Sequence, residues 1–317
     1  MLLQIIIMLV SFVVLIKGAD VFVEGASGTA KHLKVPDILI GLTIVAFGTS
    51  APEAAVSIKA VLANNSDMVL GNIIGSNILN IVLILGICSV IAPIEVKDNT
   101  IKKEIPFLIL VSILLGVLML DVSLGGATRD MISRSDGIII LLFFSIFIYY
   151  LFSLASSGEA EEIEVKYSLG RCLCYTVLGL VAIILGGNFV VDSATNIATY
   201  LGVSQTFISL TIVALGTSLP ELVTSIISAR KGKQDLAMGN IVGSNIFNIC
   251  FVAGFPATFL GNIIPNTSIA LDLIVMIVVT ILLYIFCFTK KCLSKVEGIV
   301  FLICFIIYYA YLIIAQL

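Results

Sequence analysis

Two glutamates stand in otherwise apolar surroundings: Glu53 closes the segment "GLTIVAFGTSAPE" (41–53), and Glu221 closes "SLTIVALGTSLPE" (209–221). Thr49 and Glu53 are four residues apart, so on a helix the hydroxyl and the carboxylate share a face, with Ser50 beside them. Thr217, Ser218 and Glu221 repeat that geometry. A second pair of segments, "GNIIGSNILNI" (71–81) and "GNIVGSNIFNI" (239–249), supplies Ser76 with Asn80 and Ser244 with Asn248, again at i,i+4. Pro52, four residues after Gly48, predicts a helix break that exposes backbone carbonyls, with Ala46 and Ala214 the best candidates. Such carbonyls are tolerated at membrane depth only where they line a cavity or bind something.

Carboxylate, hydroxyl, amide and main-chain oxygens are hard ligands. They suit Ca²⁺, which takes about six to eight of them, and also Na⁺. An ionised glutamate at the bilayer centre costs at least ~2–3 kcal/mol and marks an ion pathway by default. Neither glutamate motif contains a basic residue, so a bound cation or a proton must neutralise the acid.

The elements that position these groups are helices in lipid. Of the 317 residues, 60% are hydrophobic and only 12% charged, with a mean hydropathy of +1.19, values outside the range of a soluble domain. The apolar runs are long, which predicts an all-α integral membrane protein rather than a β-barrel. Ten spans are expected, near 2–30, 38–62, 68–93, 104–121, 136–154, 169–200, 206–229, 236–261, 268–288 and 296–316. The seven cysteines lack zinc-ligand spacing and read as packing residues, and His32 reads as a helix-end residue.

Lys and Arg concentrate in the loops after spans 1, 3, 5, 7 and 9, among them Lys31, Lys97, Lys231, Lys233 and Lys291. The opposite loops hold Lys59, Arg129 and Arg134. Positive loops favour the cytoplasm, so both termini are expected outside the cell membrane and the polar 155–167 loop within the cytoplasm. That loop divides the chain into a first five-helix repeat (1–154) and a second (168–317).

The halves correspond at one constant offset: Gly18, Thr43, Gly48, Glu53 and Ser57 meet Gly186, Thr211, Gly216, Glu221 and Ser225, each 168 residues on. The glutamate segments agree at ten of thirteen positions and the asparagine segments at nine of eleven. Five spans separate each residue from its partner. An odd number reverses the direction of crossing, so the fold class expected is ten transmembrane helices as two inverted five-helix repeats, the architecture of a secondary transporter.

The doubled signatures G-T-S-x-P-E (48–53, 216–221) and G-N-x-x-G-S-N-x-x-N (71–80, 239–248) resemble those of the calcium/cation antiporter superfamily, specifically the sodium/calcium exchanger type. The resemblance covers both halves. It implies four central ion sites, with Glu53 and Glu221 as the main Ca²⁺ ligands and Thr49 and Thr217 adding oxygens. It further implies Na⁺ sites completed by Ala46, Ser50, Ser76, Ala214, Ser218 and Ser244, and a middle site completed by Asn80 and Asn248. Many archaeal and potassium-dependent relatives carry Asp at the position of Asn248, so the asparagine points away from K⁺ co-transport.

The function expected is Ca²⁺/Na⁺ antiport by alternating access, with a Ca²⁺/H⁺ antiporter using the same glutamates as the alternative. Spans 1 and 6 are the natural moving elements. The motifs contain no Ser/His or Asp/Asp catalytic arrangement, which argues against an enzyme. No cofactor and no nucleic-acid partner are expected, only the transported ions and the bilayer, with the chain acting as a monomer.

Overall fold

The computed structural model describes residues 1–126, 128–156, 167–202, 214–266 and 269–314. The expected 155–167 linker falls almost wholly outside these residues, as does the start of the second glutamate segment. The described chain is mostly helical: α1 (Leu2–Leu33), α2 (Asp37–Thr49), α3 (Ala51–Leu62), α4 (Ser66–Ile91), α5 (Ile105–Met119), α6 (Arg134–Ala155), α7 (Leu169–Tyr200), α8 (Ala214–Thr217), α9 (Leu219–Arg230), α10 (Gln234–Phe259), α11 (Ala270–Lys290) and α12 (Lys295–Ile314). Among the described residues seven of these, α1, α4, α6, α7, α10, α11 and α12, are each long and apolar enough to cross a membrane. The pair α2 and α3, bent by 45° where they meet, is long and apolar enough only when the two are taken together.

Local sequence sets the boundaries. α1 stops where Lys34 turns left-handed (φ 55°), two residues before Pro36. The Asn65 side chain accepts the Met68 N–H at 3.1 Å and starts α4. Ser133 and Asp136 form a reciprocal capping box at the head of α6. α1 and α7, at 32 residues each, run about 48 Å at 1.5 Å per residue, so they must tilt across a ~30 Å hydrocarbon core.

These two long helices pack on each other through glycine. A methyl group at Gly18 would lie 2.8 Å from the Ala182 Cβ, and one at Gly186 would lie 2.9 Å from the Leu15 nitrogen. Small residues let membrane helices approach this closely. α4 and α10 form the centre: 78% and 94% of their apolar windows are buried, against 22% for α1, α6 and α12.

Polar ties join the loops. A short antiparallel pair of strands, β1 (Ile94–Glu95) and β2 (Cys292–Leu293), sets Ile94 against Leu293, and an isolated bridge sets Ile132 against Ile263. Residues 31–37, 95–97, 232–235 and 290–292 contribute to one cleft of about 760 Å³, so the lysine-bearing loops after α1, α4, α9 and α11 share one face. Lys97 pairs with Asp235 at 2.6 Å and Lys233 with Asp37 at 3.7 Å. Asp20, in α1, meets Lys231 at 2.5 Å. The tertiary partner ties α1 to the loop after α9. His32 lies in the last turn of α1, its Nε2 2.7 Å from the Tyr167 carbonyl.

Candidate ion-binding site

The break in the first glutamate segment falls at Ser50 (φ −85°, ψ 6°), between α2 and α3. Pro52 therefore sits in the first turn of α3, where its missing N–H forfeits no helical bond. Ser218 (φ −89°, ψ 5°) and Pro220 repeat the arrangement ahead of α9. The prolines permit the break rather than occupy it. Glu53 and Glu221 become the third residues of their helices, where the N-terminal end of the helix dipole favours a carboxylate.

The two acids lie at the middle of the bundle, 1% and 0% exposed, and near enough to repel each other. Each meets the serine of the other segment. Ser50 Oγ donates to Glu221 Oε1 at 2.8 Å, and Ser218 stands beside the Glu53 carboxylate. Thr49 and Ser244 also lie against Glu221.

The asparagine segments cross at the same place. Asn248 Nδ2 donates to Ser76 Oγ at 3.1 Å, while Ser76 Oγ donates to the Ile73 carbonyl. Asn80 Nδ2 donates to Asn245 Oδ1 at 2.9 Å, and Asn245 Nδ2 donates to the Asn77 carbonyl at 3.2 Å. Both α4 and α10 widen into π-helical turns, Asn80–Leu85 and Asn248–Ala253, which begin at the two asparagines. Such turns occur frequently at functional sites because they re-aim side chains.

Ala46, Thr49, Ser50, Ser76, Asn80, Ser218, Ser244 and Asn248 are all buried. Thr217 is half-buried at the end of α8. Ala214 opens α8, and its side chain lies outside the described residues. The Ala46 carbonyl is not stripped of helix partners, since it accepts the Ser50 N–H at 3.0 Å. The Ser244 hydroxyl approaches the same oxygen at 3.4 Å.

The unanswered atoms are informative. Glu53 Oε2, Glu221 Oε2, Asn80 Oδ1, Asn248 Oδ1 and Ser218 Oγ are buried without a hydrogen-bond partner. Each buried unsatisfied group costs ~1–3 kcal/mol, more when charged, and native chains rarely leave five together. All five are oxygens. Both amides use their nitrogens in hydrogen bonds, which leaves the carbonyl ends as acceptors, the arrangement a hard cation requires. No cluster of three or more His, Cys, Asp or Glu occurs among the described residues. The charge available to a cation here is two carboxylates, with neutral oxygens completing the shell.

The sequence profile described as "Sodium/calcium exchanger protein" matches residues 3–153 and 172–314. The chain belongs to the sodium/calcium exchanger family. It is 35% identical to the inner membrane protein YrbG of Escherichia coli (strain K12) over 302 residues, covering 92% of this chain and 90% of that one. It is 30% identical to the sodium/calcium exchanger MaX1 of Methanosarcina acetivorans, covering 95% of each. The solved structure of the sodium-calcium exchanger NCX_Mj soaked with Na⁺ and Sr²⁺ superposes with a TM-score of 0.85 at 32% identity, covering 97% of this chain and 98% of that one. This exchanger is thus a multi-pass membrane cation antiporter, a transporter rather than an enzyme, and the family works without a cofactor.

Sequence reasoning missed the residues that stand behind the exchanger's acids. Asn72, Asn240, Asn77 and Asn245 all hydrogen-bond at or beside the site. The signal was present, since Asn72 and Asn240, and Asn77 and Asn245, recur at the 168-residue offset inside the doubled motif.

Proposed function

We propose that the protein exchanges Ca²⁺ for Na⁺ across the cell membrane by alternating access. Its ten spans form two inverted five-helix repeats, 1–154 and 168–317, joined by the 155–167 linker. Both termini lie outside and the lysine-rich face is cytoplasmic, as the positive-inside rule favours. Glu53 and Glu221 are the principal Ca²⁺ ligands, with Thr49 and Thr217 beside them. Ser50, Ser76, Ser218, Ser244 and the Ala46 and Ala214 carbonyls complete flanking Na⁺ sites, and Asn80 and Asn248 the middle one.

The observation that carries this reading is the set of buried, unpartnered oxygens on Glu53, Glu221, Asn80, Asn248 and Ser218. A doubly negative site in a low-dielectric bundle resists reorientation until cations neutralise it. Ca²⁺ supplies two charges at once, and Na⁺ ions supply them in turn. Because both loads use the same oxygens, each must leave before the other enters. The ions shift the inward–outward equilibrium only through unequal affinity for the two faces.

The matching experiment titrates Ca²⁺ into purified protein in a calorimeter at several fixed Na⁺ concentrations. Competition raises the apparent Ca²⁺ Kd as Na⁺ rises, in K⁺ or choline controls of equal ionic strength. A Ca²⁺ Kd indifferent to Na⁺ but rising as pH falls would instead favour proton exchange through the same glutamates.

A further inference from the structure

The side chains that hold the ion site in register are a second pair of asparagines. Asn72 Nδ2 donates to the Glu53 carbonyl at 3.0 Å and to Ser57 Oγ at 2.9 Å. Asn240 Nδ2 reaches the Glu221 carbonyl at 3.4 Å and Ser225 Oγ at 2.9 Å. The same donor thus spans the same two acceptors at both places, 168 residues apart. A carboxamide nitrogen carries two protons, and both are used here.

This fixes which way each amide faces. The glutamate carbonyl can only accept, so the nitrogen must point to it and the amide oxygen must point away. In the second half that oxygen, Asn240 Oδ1, lies 3.1 Å from Thr49 Oγ1, whose proton also has the Val45 carbonyl at 3.0 Å. The single Thr49 proton is shared among these oxygens, the Ala46 carbonyl at 3.4 Å and the Glu221 carboxylate it lies against, and Asn240 Oδ1 is the one of these acceptors that an asparagine side chain supplies. Asn240, itself fully buried, therefore bridges the main chain of Glu221 to a hydroxyl of the opposite half.

We infer that Asn72 and Asn240 are positioning residues of the ion site. They clamp the first turns of α3 and α9 against α4 and α10, and Asn240 also orients Thr49, without themselves binding the cation. The inference rests on the Ca²⁺/Na⁺ site proposed above. Neighbours that orient metal ligands typically change metal affinity by ~10–100-fold when removed.

The test measures melting temperature of the purified protein in chelator and in saturating Ca²⁺, together with the Ca²⁺ Kd, for the wild type, Asn240→Ala, Asn240→Asp, Asn72→Ala and the milder Ser225→Ala. The aspartate matches the asparagine in size but cannot donate to the Glu221 carbonyl. The expected result is a Ca²⁺ Kd weakened ~10-fold or more in Asn240→Ala and Asn240→Asp, less in Ser225→Ala, with the Ca²⁺-induced rise in melting temperature reduced accordingly. A merely structural role would lower both melting temperatures equally and leave the Kd alone, and that outcome overturns the inference. Should an Asn240 variant fail to fold, an unchanged Kd in both Asn72→Ala and Ser225→Ala overturns it. A wild type that does not bind Ca²⁺ removes the ion-site reading and this inference together. A wild type that binds while the variants bind equally well removes this inference alone.

Discussion

Ser50 Oγ donates to Glu221 Oε1 across 2.8 Å, so the hydroxyl at the break of one glutamate segment is answered by the acid of the other. The site is therefore not two copies side by side. Each half lends part of its shell to the acid of its partner, and displacement of one half against the other must disturb both. That coupling is what a shared cation seat requires.

Glu53→Gln and Glu221→Gln remove one of two buried charges while keeping shape and one acceptor oxygen, the other becoming an amide donor. In the Ca²⁺-bound state each carboxylate and the ion form a buried pair of opposite charge, and removing the carboxylate costs ~3–5 kcal/mol, which at 1.4 kcal/mol per tenfold is a loss of at least ~100-fold in Ca²⁺ affinity. Each variant should extract as folded protein, since neutralisation lowers the cost of burying the site. Calorimetric Ca²⁺ titration checks this. Undiminished binding in both variants contradicts their role as ligands.

Asn248→Asp adds a third carboxylate at the start of the π-helical turn. Its Oδ1 already lacks a partner in the parent, so the new charge meets the same opening. The expected outcome is Ca²⁺ binding tightened ~10-fold or more above neutral pH and lost progressively as acid protonates the added group. A Ca²⁺ Kd measured across pH 5–9 checks both the gain and its acid limb.

The lysine-rich face is tied by Lys231–Asp20 and Lys233–Asp37. The positions 168 residues away from these four are Ala63, Asn188, Asn65 and Gln205, all uncharged. The latch therefore has no counterpart by sequence in the exchanged positions. Lys231→Glu should favour opening on the lysine-rich face. Partly exposed pairs contribute ~0.2–1 kcal/mol, so the shift in thiol-labelling rate of a Ser76→Cys probe from that face is about 1.4- to five-fold. Adding Asp20→Lys should restore the parent rate.

Gly18 leaves no room for a side chain against Ala182. Gly18→Val should force α1 and α7 apart and lower the melting temperature, with ~1–3 kcal/mol of overpacking. Transport should fall further than stability alone accounts for, since these helices are the proposed moving elements. Parallel thermal melts and flux assays separate the two effects.

Much of this was legible in the sequence because the chemistry is repeated. Glu53 and Glu221 announce themselves as unneutralised acids in apolar runs, and the constant offset assigns each a partner. The break near Pro52 was readable from proline's missing N–H, but its placement at Ser50 was not. That detail depends on which residue absorbs the backbone turn, and proline only restricts where its own ring can sit. The π-helical turns at Asn80 and Asn248 were invisible, since nothing in side-chain periodicity distinguishes one extra residue in a long helix. Asn72 and Asn240 were masked by a different cause. An amide in a membrane helix reads first as interhelical packing, and only the identical pair of acceptors in both halves reveals the positioning role.

If Na⁺ and Ca²⁺ share the oxygens around Glu53 and Glu221, a Na⁺ gradient alone must drive Ca²⁺ movement. Ca²⁺ uptake into vesicles loaded with Na⁺, with internal and external pH clamped equal, tests it most directly. Uptake should scale with the outward Na⁺ gradient, stop when K⁺ replaces internal Na⁺, and disappear in Glu53→Gln and Glu221→Gln. Uptake that persists without Na⁺ and follows an imposed pH gradient instead would contradict it.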